Sequence, residues 1–435
     1  MRNKGLVALA TAMVIAVTPV LAAGPVLQEG SPQAAGFSPD GIAKLDAMMD
    51  AAVANGDVAG IQGMLVRHGK IVDFHMRGRR SLTTNSKITR DTIFRMYSQT
   101  KPMTGVAMMI LYEKGLWKLD DPITKFIPEF AHLKVYNGND ANGNPVIVDA
   151  GRPPNMRELM THTAGFGYGL VKGNPVDNEF RTDKVLRADG LQDMIHKIAK
   201  IPLLYQPGTT WSYSVAVDIQ GYIVEKLSGQ KFGDFMADNI WKPLGMKDTG
   251  FQTPPGGASR LSGLYLEVGP TLVEAKPDMS PLVQDFTKKP SMESGGGGSV
   301  STADDYARFC QMILNKGEYN GVRILKPETV ALMQQNHIEP TVTAVNTDKG
   351  TTVDGSAIGF GIDFAVATDP VKAKMRVGQG TIWWGGAAGT WFWIDPKNDL
   401  FFIGMIQKLG STAGDTNLGA ASQELVYSAL THPEQ

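Results

Sequence analysis

The sequence predicts an α+β fold: an antiparallel sheet built from both chain ends and flanked by helices, plus a mainly helical second lobe. Three observations predict it. Strand patterns fall near the two ends, at 60–77 and 358–407. Helical periodicity and loop composition fill the middle. A hydrophobic content of 43% over 435 residues is enough to close a large core. A sheet made from both ends and carrying a helical insertion satisfies all three.

Residues 1–23 read as a cleavable export signal. Arg2 and Lys4 give a positive start, and Gly5 to Val17 is an apolar run too short for a comfortable bilayer span. Val20-Leu21-Ala22 then offers small residues at the spacing a signal peptidase reads; an uncleaved N-terminal anchor is the alternative. The mature chain, 24–435, is expected as one unit, exported to a periplasmic or secreted location. Its α/β lobe comes from about 35–115 and 295–435, and its helical and loop lobe from about 116–294.

Ser38-Pro39-Asp40 opens a helix with Ile42, Leu45, Met48 and Met49 at helical spacing, ended by Gly56. Ile61 to Val66 and Ile71 to Met76 read as a hairpin turning at His68-Gly69-Lys70. Thr92-Ile93-Phe94 leads into an apolar helix, Met103 to Tyr112, closed at Gly115. The polar stretch 131–155, rich in Asn and Gly, reads as loop. Helical patterns recur at 191–200 and 216–228. Pro and Gly dominate 252–300, which ends in Gly295-Gly296-Gly297-Gly298. A capped helix follows at Ser301-Thr302, another spans 327–336, strands occupy 358–407 and a last helix fits 418–430. The loops 131–155 and 252–293 are candidates for walls of a substrate cleft.

Composition excludes several function classes. Lys+Arg number 42 against 43 Asp+Glu, a net charge of −1, and loss of Arg2 and Lys4 would make it −3. Neither value draws in nucleic acid or an anionic membrane. The single Cys310 excludes an intramolecular disulfide framework and any multi-Cys metal site, and it falls in an apolar helix where packing is its natural role. The seven His are scattered without metal-ligand spacing, so no metal is expected; no Walker loop or dinucleotide fingerprint opens a helix, so no cofactor is expected. His68 and His75 are read as surface residues and His162 as a structural hydrogen-bonding residue.

No serine has Gly at both −2 and +2, so a nucleophile elbow is absent. Ser-x-x-Lys occurs twice, at Ser98-Gln99-Thr100-Lys101 and at Ser228-Gly229-Gln230-Lys231. The second closes a helix and reads as a C-terminal cap. Ser98 instead follows a strand and opens an apolar helix, because Pro102 is tolerated only in a first turn, although it disfavours helical geometry at Lys101. Three residues along a helix bring Ser98 and Lys101 to one face. The helix N-terminus favours a developing oxyanion, and an apolar setting favours the neutral lysine that can take the serine proton. A serine N-cap beside a solvated lysine is the bland alternative.

Two further elements add to this. Pro207-Gly208-Thr209-Thr210-Trp211-Ser212-Tyr213-Ser214 sets Tyr213 just ahead of an apolar helix, where it could relay a proton. Gly380 to Trp391 reads as an aromatic strand entering a glycine-rich turn, against which a substrate can lie. Trp391 and Trp393 are read as core.

These elements, in this order, resemble the serine β-lactamase and penicillin-binding-protein superfamily, and above all the family VIII carboxylesterases, which share the class C β-lactamase fold. The likeness spans roughly 35–430. It also takes in Leu159-Met160-Thr161-His162-Thr163-Ala164-Gly165, Gly295 to Asp305 and Trp384-Gly385-Gly386-Ala387. The resemblance implies a β-lactamase-like fold and a double-displacement acyl transfer. Ser98 would be the nucleophile, Lys101 and Tyr213 would share base and acid work, and the backbone N–H groups of Ser98 and Ala387 would form the oxyanion hole. Trp384, Gly385 and Gly386 would line the substrate site. Trp384 stands where β-lactamases carry the lysine of a Lys-Thr-Gly box, and Val215 stands where the class C tyrosine motif ends in Asn. Both changes remove polar recognition of a β-lactam and favour a neutral ester. The expectation is therefore a serine carboxylesterase acting on small to medium neutral esters, with no nucleic-acid partner and no membrane attachment in the mature form. The alternatives are a β-lactamase, a D-amino-acid peptidase or an acyltransferase on the same fold, and, from a different class, a non-catalytic penicillin-recognition or sensor module.

Overall fold

Ser38 caps the first helix, α1 (Pro39–Ala54), by accepting the Gly41 N–H, and Pro39 fills a first-turn position that needs no donor. The computed structural model describes residues 27–339, 341–344, 353, 355–410 and 417–433; the segment 1–23, expected as an export signal, lies outside them. After α1 come β1 (Gly60–Arg67) and β2 (Lys70–Ser81), an antiparallel hairpin whose turn places His68 and Gly69 in left-handed backbone. A short strand, Phe94–Arg95, and a 3-10 turn, Tyr97–Thr100, lead into α2 (Lys101–Glu113). Every α2 residue from Lys101 to Leu111 is buried, as befits a central helix. The pre-proline conflict at Lys101 resolves in favour of the helix, with φ −54° and ψ −48°. Buried contacts of its ammonium group, described below, hold it there.

The middle of the chain carries α3 (Met156–Met160), α4 (Pro175–Thr182), α5 (Leu191–Ile198) and α6 (Ala216–Ser228). Asn155 and Glu158 close a reciprocal capping box on α3. Gly229 ends α6 with φ 71°, the left-handed cap expected for the second Ser-x-x-Lys match. Two stretches depart from expectation. The 131–155 segment is not all loop: Lys134–Asn139 and Pro145–Asp149 pair as a hairpin, Val135 opposite Val148 and Tyr136 opposite Ile147. Val135, Tyr136, Val146, Ile147 and Val148 make the paired core of the strands, and the ladder runs on through an irregular stretch in which Asn139 pairs with Pro145. Within 252–300, Tyr265–Val268 and Thr271–Glu274 likewise pair around Gly269. The helix α4 and the helical turns Phe232–Met236 and Ala237–Trp241 were also not expected.

The C-terminal part supplies α7 (Ala303–Leu314), capped by Thr302, then α8 (Pro327–Met333). The strands β3 (Ile358–Phe360), β4 (Ala365–Ala367), β5 (Ile382–Gly385), β6 (Trp391–Asp395) and β7 (Leu400–Met405) precede the last helix, α9 (Leu418–Ala429). The sheet runs Gln28–Glu29, β2, β1, β7, β6, β5, β4, β3, with Ser86–Lys87 pairing on β2; only the Gln28–Glu29 pairing is parallel. The β1–β7 ladder, from Arg67 opposite Leu400 to Gln62 opposite Met405, joins the two chain ends.

Alternation along the strands sorts the core into two sides. Ile61, Leu65 and Phe402 face α1 and α9, with Leu45, Met49 and Val426. Met64, Val66, Phe401 and Ile403 face α2 and α7, in a core that continues into the helical lobe through α3, α5 and α6. The protein is thus an α+β, β-lactamase-like fold with a sheet flanked by helices and a helical lobe beside it. Cys310 is buried in α7, where desolvation pushes its thiol well above the ordinary range; it packs and does not react. Among the described residues no helix is long and apolar enough to cross a membrane.

Candidate active site

The 3-10 turn Tyr97–Thr100 forces a sharp change of direction between the Phe94–Arg95 strand and α2. Its first residue, Tyr97, takes φ 45°, a costly conformation for an aromatic residue. Three fixings hold it: the Tyr97 hydroxyl donates to the Leu282 carbonyl at 2.9 Å, its ring meets Phe286 edge-on, and Gly297 lies against its backbone. The strain turns Ser98 outward, so that it is only partly buried while Gln99, Thr100 and Lys101 are wholly enclosed. As a first-turn residue, Ser98 has an N–H with no acceptor inside the helix.

Lys101 is fully buried, a position that an ammonium group tolerates only with partners. Its Nζ donates to the Gly296 carbonyl at 2.6 Å, to the Tyr168 hydroxyl at 3.2 Å and to Ser98 Oγ at 3.4 Å, and lies 4.7 Å from the centre of the Tyr213 ring. The Tyr213 hydroxyl donates to Ser98 Oγ at 2.7 Å. Ser98, Lys101 and Tyr213, from two separate segments, therefore meet around one oxygen atom.

The Tyr213 segment is set from behind by His162. The Ser214 N–H can only donate and points at His162 Nδ1 (3.2 Å), so the ring proton sits on Nε2; the Ser214 hydroxyl lies 2.9 Å from the same Nδ1. Burial, reinforced by the charge of Lys101, holds His162 well below the usual histidine range, and it is neutral. Its ring packs 4.9 Å from that of Tyr213. This is the structural role read for it from the sequence.

The third element closes the other side. The turn between β5 and β6 docks on Met96: the Thr390 hydroxyl donates to the Met96 carbonyl at 3.2 Å, and a Cβ at Gly386 would overlap that same carbonyl. This close approach explains the glycine. The Ala387 N–H in the turn makes no backbone hydrogen bond among the described residues. Trp384 at the end of β5 lies 5.5 Å from the ring centres of both Tyr213 and Phe360, partly exposed, with Gly385 beside it. Trp393 is buried and Trp391 half-buried, and both stack on Phe402. His68 is exposed and paired with Asp399 at 2.8 Å, and His75, read as a surface residue, is half-buried and tied to Asp50 at 2.8 Å.

Sequence reasoning did not single out Tyr168, Asp218 or Asp363. Tyr168 touches Lys101, and burial, together with the nearby Asp218, lifts its phenol well above the ordinary range, so it stays protonated. Its only sequence signal is its place three residues after Gly165. Asp363 is fully buried between α2 and α6; Gln220 donates to one oxygen at 2.9 Å and the other has no hydrogen-bond partner among the described residues. Desolvation raises its carboxyl to about 8, against the pull of Gln220 and Lys101. An unfolded aspartate ionises near 3.8, so between about pH 4 and 8 the folded state binds the extra proton, and stability falls as pH rises through that window. Asp363→Asn should remove this slope, which at its steepest is about 1.4 kcal/mol per pH unit, and raise the melting temperature above neutrality. Thermal melts from about pH 5 to 9 check it; a variant as pH-sensitive as the parent contradicts it.

Comparison with known proteins follows the same outline. A family described as Beta-lactamase matches residues 45–426. Esterase EstB of Burkholderia gladioli is 30% identical over 371 residues, covering 80% of this chain and 86% of the relative. Acyltransferase calJ of Penicillium decumbens is 26% identical over 332 residues, covering 72% and 75%. The solved structure of EstCE1, described as a hydrolase with promiscuous acyltransferase activity, superposes with a TM-score of 0.73 at 24% identity, over 89% of this chain and 99% of that one, which shows the shared fold.

Proposed function

This chain belongs to the β-lactamase family, and from that premise we propose that it is a serine acyl-transfer enzyme of the family VIII carboxylesterase kind. It takes the acyl group of a neutral ester onto Ser98 and passes it to water or to an alcohol. The observation that carries the reading is the meeting of a buried lysine and a tyrosine hydroxyl on one partly exposed serine oxygen. A solvated lysine beside a helix cap, the bland alternative, would not be enclosed on all sides. A non-catalytic recognition module has no need for all three groups.

In the proposed mechanism Ser98 Oγ attacks the ester carbonyl while its proton passes to the Lys101–Tyr213 pair. The N–H groups of Ser98 and Ala387 hold the oxyanion; one such donor is worth about 10²–10³-fold in rate. Tyr213, within 2.7 Å of the serine oxygen, then returns a proton to the leaving alkoxide. Deacylation repeats the steps with the acceptor in the alcohol's place. Tyr213→Phe should lower kcat by about 10²–10⁴-fold, the range for loss of a general acid, with KM and melting temperature little changed. Steady-state kinetics on p-nitrophenyl butyrate measure it; a kcat within threefold of the parent's rules the tyrosine out.

Transfer to an acceptor alcohol is better supported than hydrolysis alone, because two of the three proteins named above, Acyltransferase calJ and EstCE1, are described with acyltransferase activity. Trp384 supports the ester reading over the β-lactam and D-amino-acid peptide alternatives: it puts an apolar ring, packed on Tyr213, where a carboxylate-binding lysine stands in β-lactamases. We further propose that residues 1–23 direct export to a periplasmic or secreted location. Purified protein offered p-nitrophenyl acetate or butyrate beside nitrocefin, with and without an added alcohol, tests the activity. Release of p-nitrophenol with ester products in the alcohol's presence is expected; nitrocefin as the far better substrate would overturn the Trp384 argument.

A further inference from the structure

Asp218 lies in the first turn of α6, just beyond the Tyr213 segment, and is fully buried. Its Oδ1 accepts the Ser294 hydroxyl and the Gly296 N–H, the latter at 3.1 Å. The carbonyl of the same Gly296 accepts Lys101 Nζ at 2.6 Å, the shortest contact that the ammonium makes. A Cβ on Gly296 would overlap Asp218 Oδ2 and come within 3.0 Å of the Tyr168 hydroxyl, so the glycine permits the close approach. One residue on, Gly297 backs the Tyr97–Ser98 turn. A single carboxylate thus ties the Tyr213 helix to the glycine loop, and the loop to both Lys101 and Ser98.

We infer that Asp218 is a positioning residue for acyl transfer: it holds the Gly296 carbonyl on Lys101, and its charge shapes the pH dependence of acyl transfer to Ser98. The inference rests on Ser98 being the nucleophile proposed above. The groups facing Lys101 are Ser98 from its own turn, His162 and Tyr168 from the segment after α3, Tyr213 ahead of α6, Asp218 on α6 and Asp363 ahead of β4. His162 and Tyr168 are neutral, and Asp363 keeps its proton to about 8. Asp218 is the remaining acidic group, and the two donors on its Oδ1 favour the ionised form against the upward push of burial. Burial raises the Asp218 carboxyl above the ordinary aspartate range, and Lys101, Ser294 and Gly296 pull it part of the way back.

The test is the rate of Ser98 modification by a fluorophosphonate, followed from about pH 5 to 9 in the parent, Asp218→Asn and Gly296→Ala, with melting temperatures alongside. Asn keeps an acceptor oxygen for Ser294 and Gly296 but loses the charge. Its acid limb should move about one pH unit lower, with a maximal rate within about tenfold of the parent's. In Gly296→Ala the methyl group pushes the carboxylate and the carbonyl apart, and the rate should fall at least about tenfold at every pH, which keeps the test decisive if Asp218→Asn does not fold. An Asp218→Asn profile superimposable on the parent's, or an unchanged rate in Gly296→Ala, overturns the inference. Absence of labelling in the parent itself is a different result: it overturns the acyl-transfer reading.

Discussion

Ser98→Ala should lower ester turnover by about 10⁴-fold or more while leaving the fold intact. The size follows from the mechanism, since the serine oxygen makes the covalent bond on which both half-reactions depend. Loss of the nucleophile in a cooperating serine site removes almost all catalysis above what binding and the oxyanion hole supply. The fold should survive because Ser98 is only partly buried and, among the described residues, its hydroxyl bonds only to Lys101 and Tyr213. Replacing it removes no core volume; the Tyr97 turn is held by Leu282, Phe286 and Gly297 instead. Kinetics on purified protein beside a thermal melt test it, and a variant keeping a tenth of the activity would refute the assignment.

Lys101→Met should cost about 10³-fold in kcat, with a much smaller effect on stability. Methionine keeps most of the lysine stem among the buried residues of α2 but offers no proton acceptor. Two stability effects oppose each other. The Gly296 carbonyl and the Tyr168 hydroxyl lose a donor, at about 1–3 kcal/mol for a buried group left unsatisfied. Against this, a buried ammonium no longer has to be desolvated. The rate should therefore collapse while the melting temperature moves by only a few degrees. The Ser98→Ala/Lys101→Met double variant should be no slower than Ser98→Ala alone, because the lysine acts only through the serine. A double variant slower by a further factor of ten would mean that Lys101 works independently of Ser98.

Much of the fold was legible because its main elements carry local signals. The helix at 216–228 has the same bounds in sequence and structure, since an apolar repeat ends at a glycine that must be left-handed. The 60–77 hairpin is also recovered, and β2 runs on to Ser81. The 134–149 hairpin was hidden by its Asn and Gly residues, three of which, Asn137, Gly138 and Asn139, fall in the first strand itself. Helix α4 escaped because only Val176, Asp177 and Phe180 of its eight residues are buried, too few to show a period.

The site divides along the same line. Ser98 and Lys101 share one turn, so their spacing alone brings them together. Tyr213 is 115 residues away from Ser98, and only the order of motifs linked the two. Tyr168, Asp218 and Asp363 were not legible. Their importance lies in burial beside Lys101, and a tyrosine or an aspartate in a helix or loop has no local mark of that.

The central claim is a covalent acyl group on Ser98. Reaction of the protein with p-nitrophenyl butyrate, quenched in acid and followed by peptide mapping in a mass spectrometer, tests it most directly. The account predicts a butyryl adduct on the peptide Met96-Tyr97-Ser98-Gln99-Thr100-Lys101, localised to Ser98 and absent from Ser98→Ala. An adduct on another residue, or full ester turnover with no adduct at Ser98 even in a Tyr213→Phe variant slowed in deacylation, would contradict it.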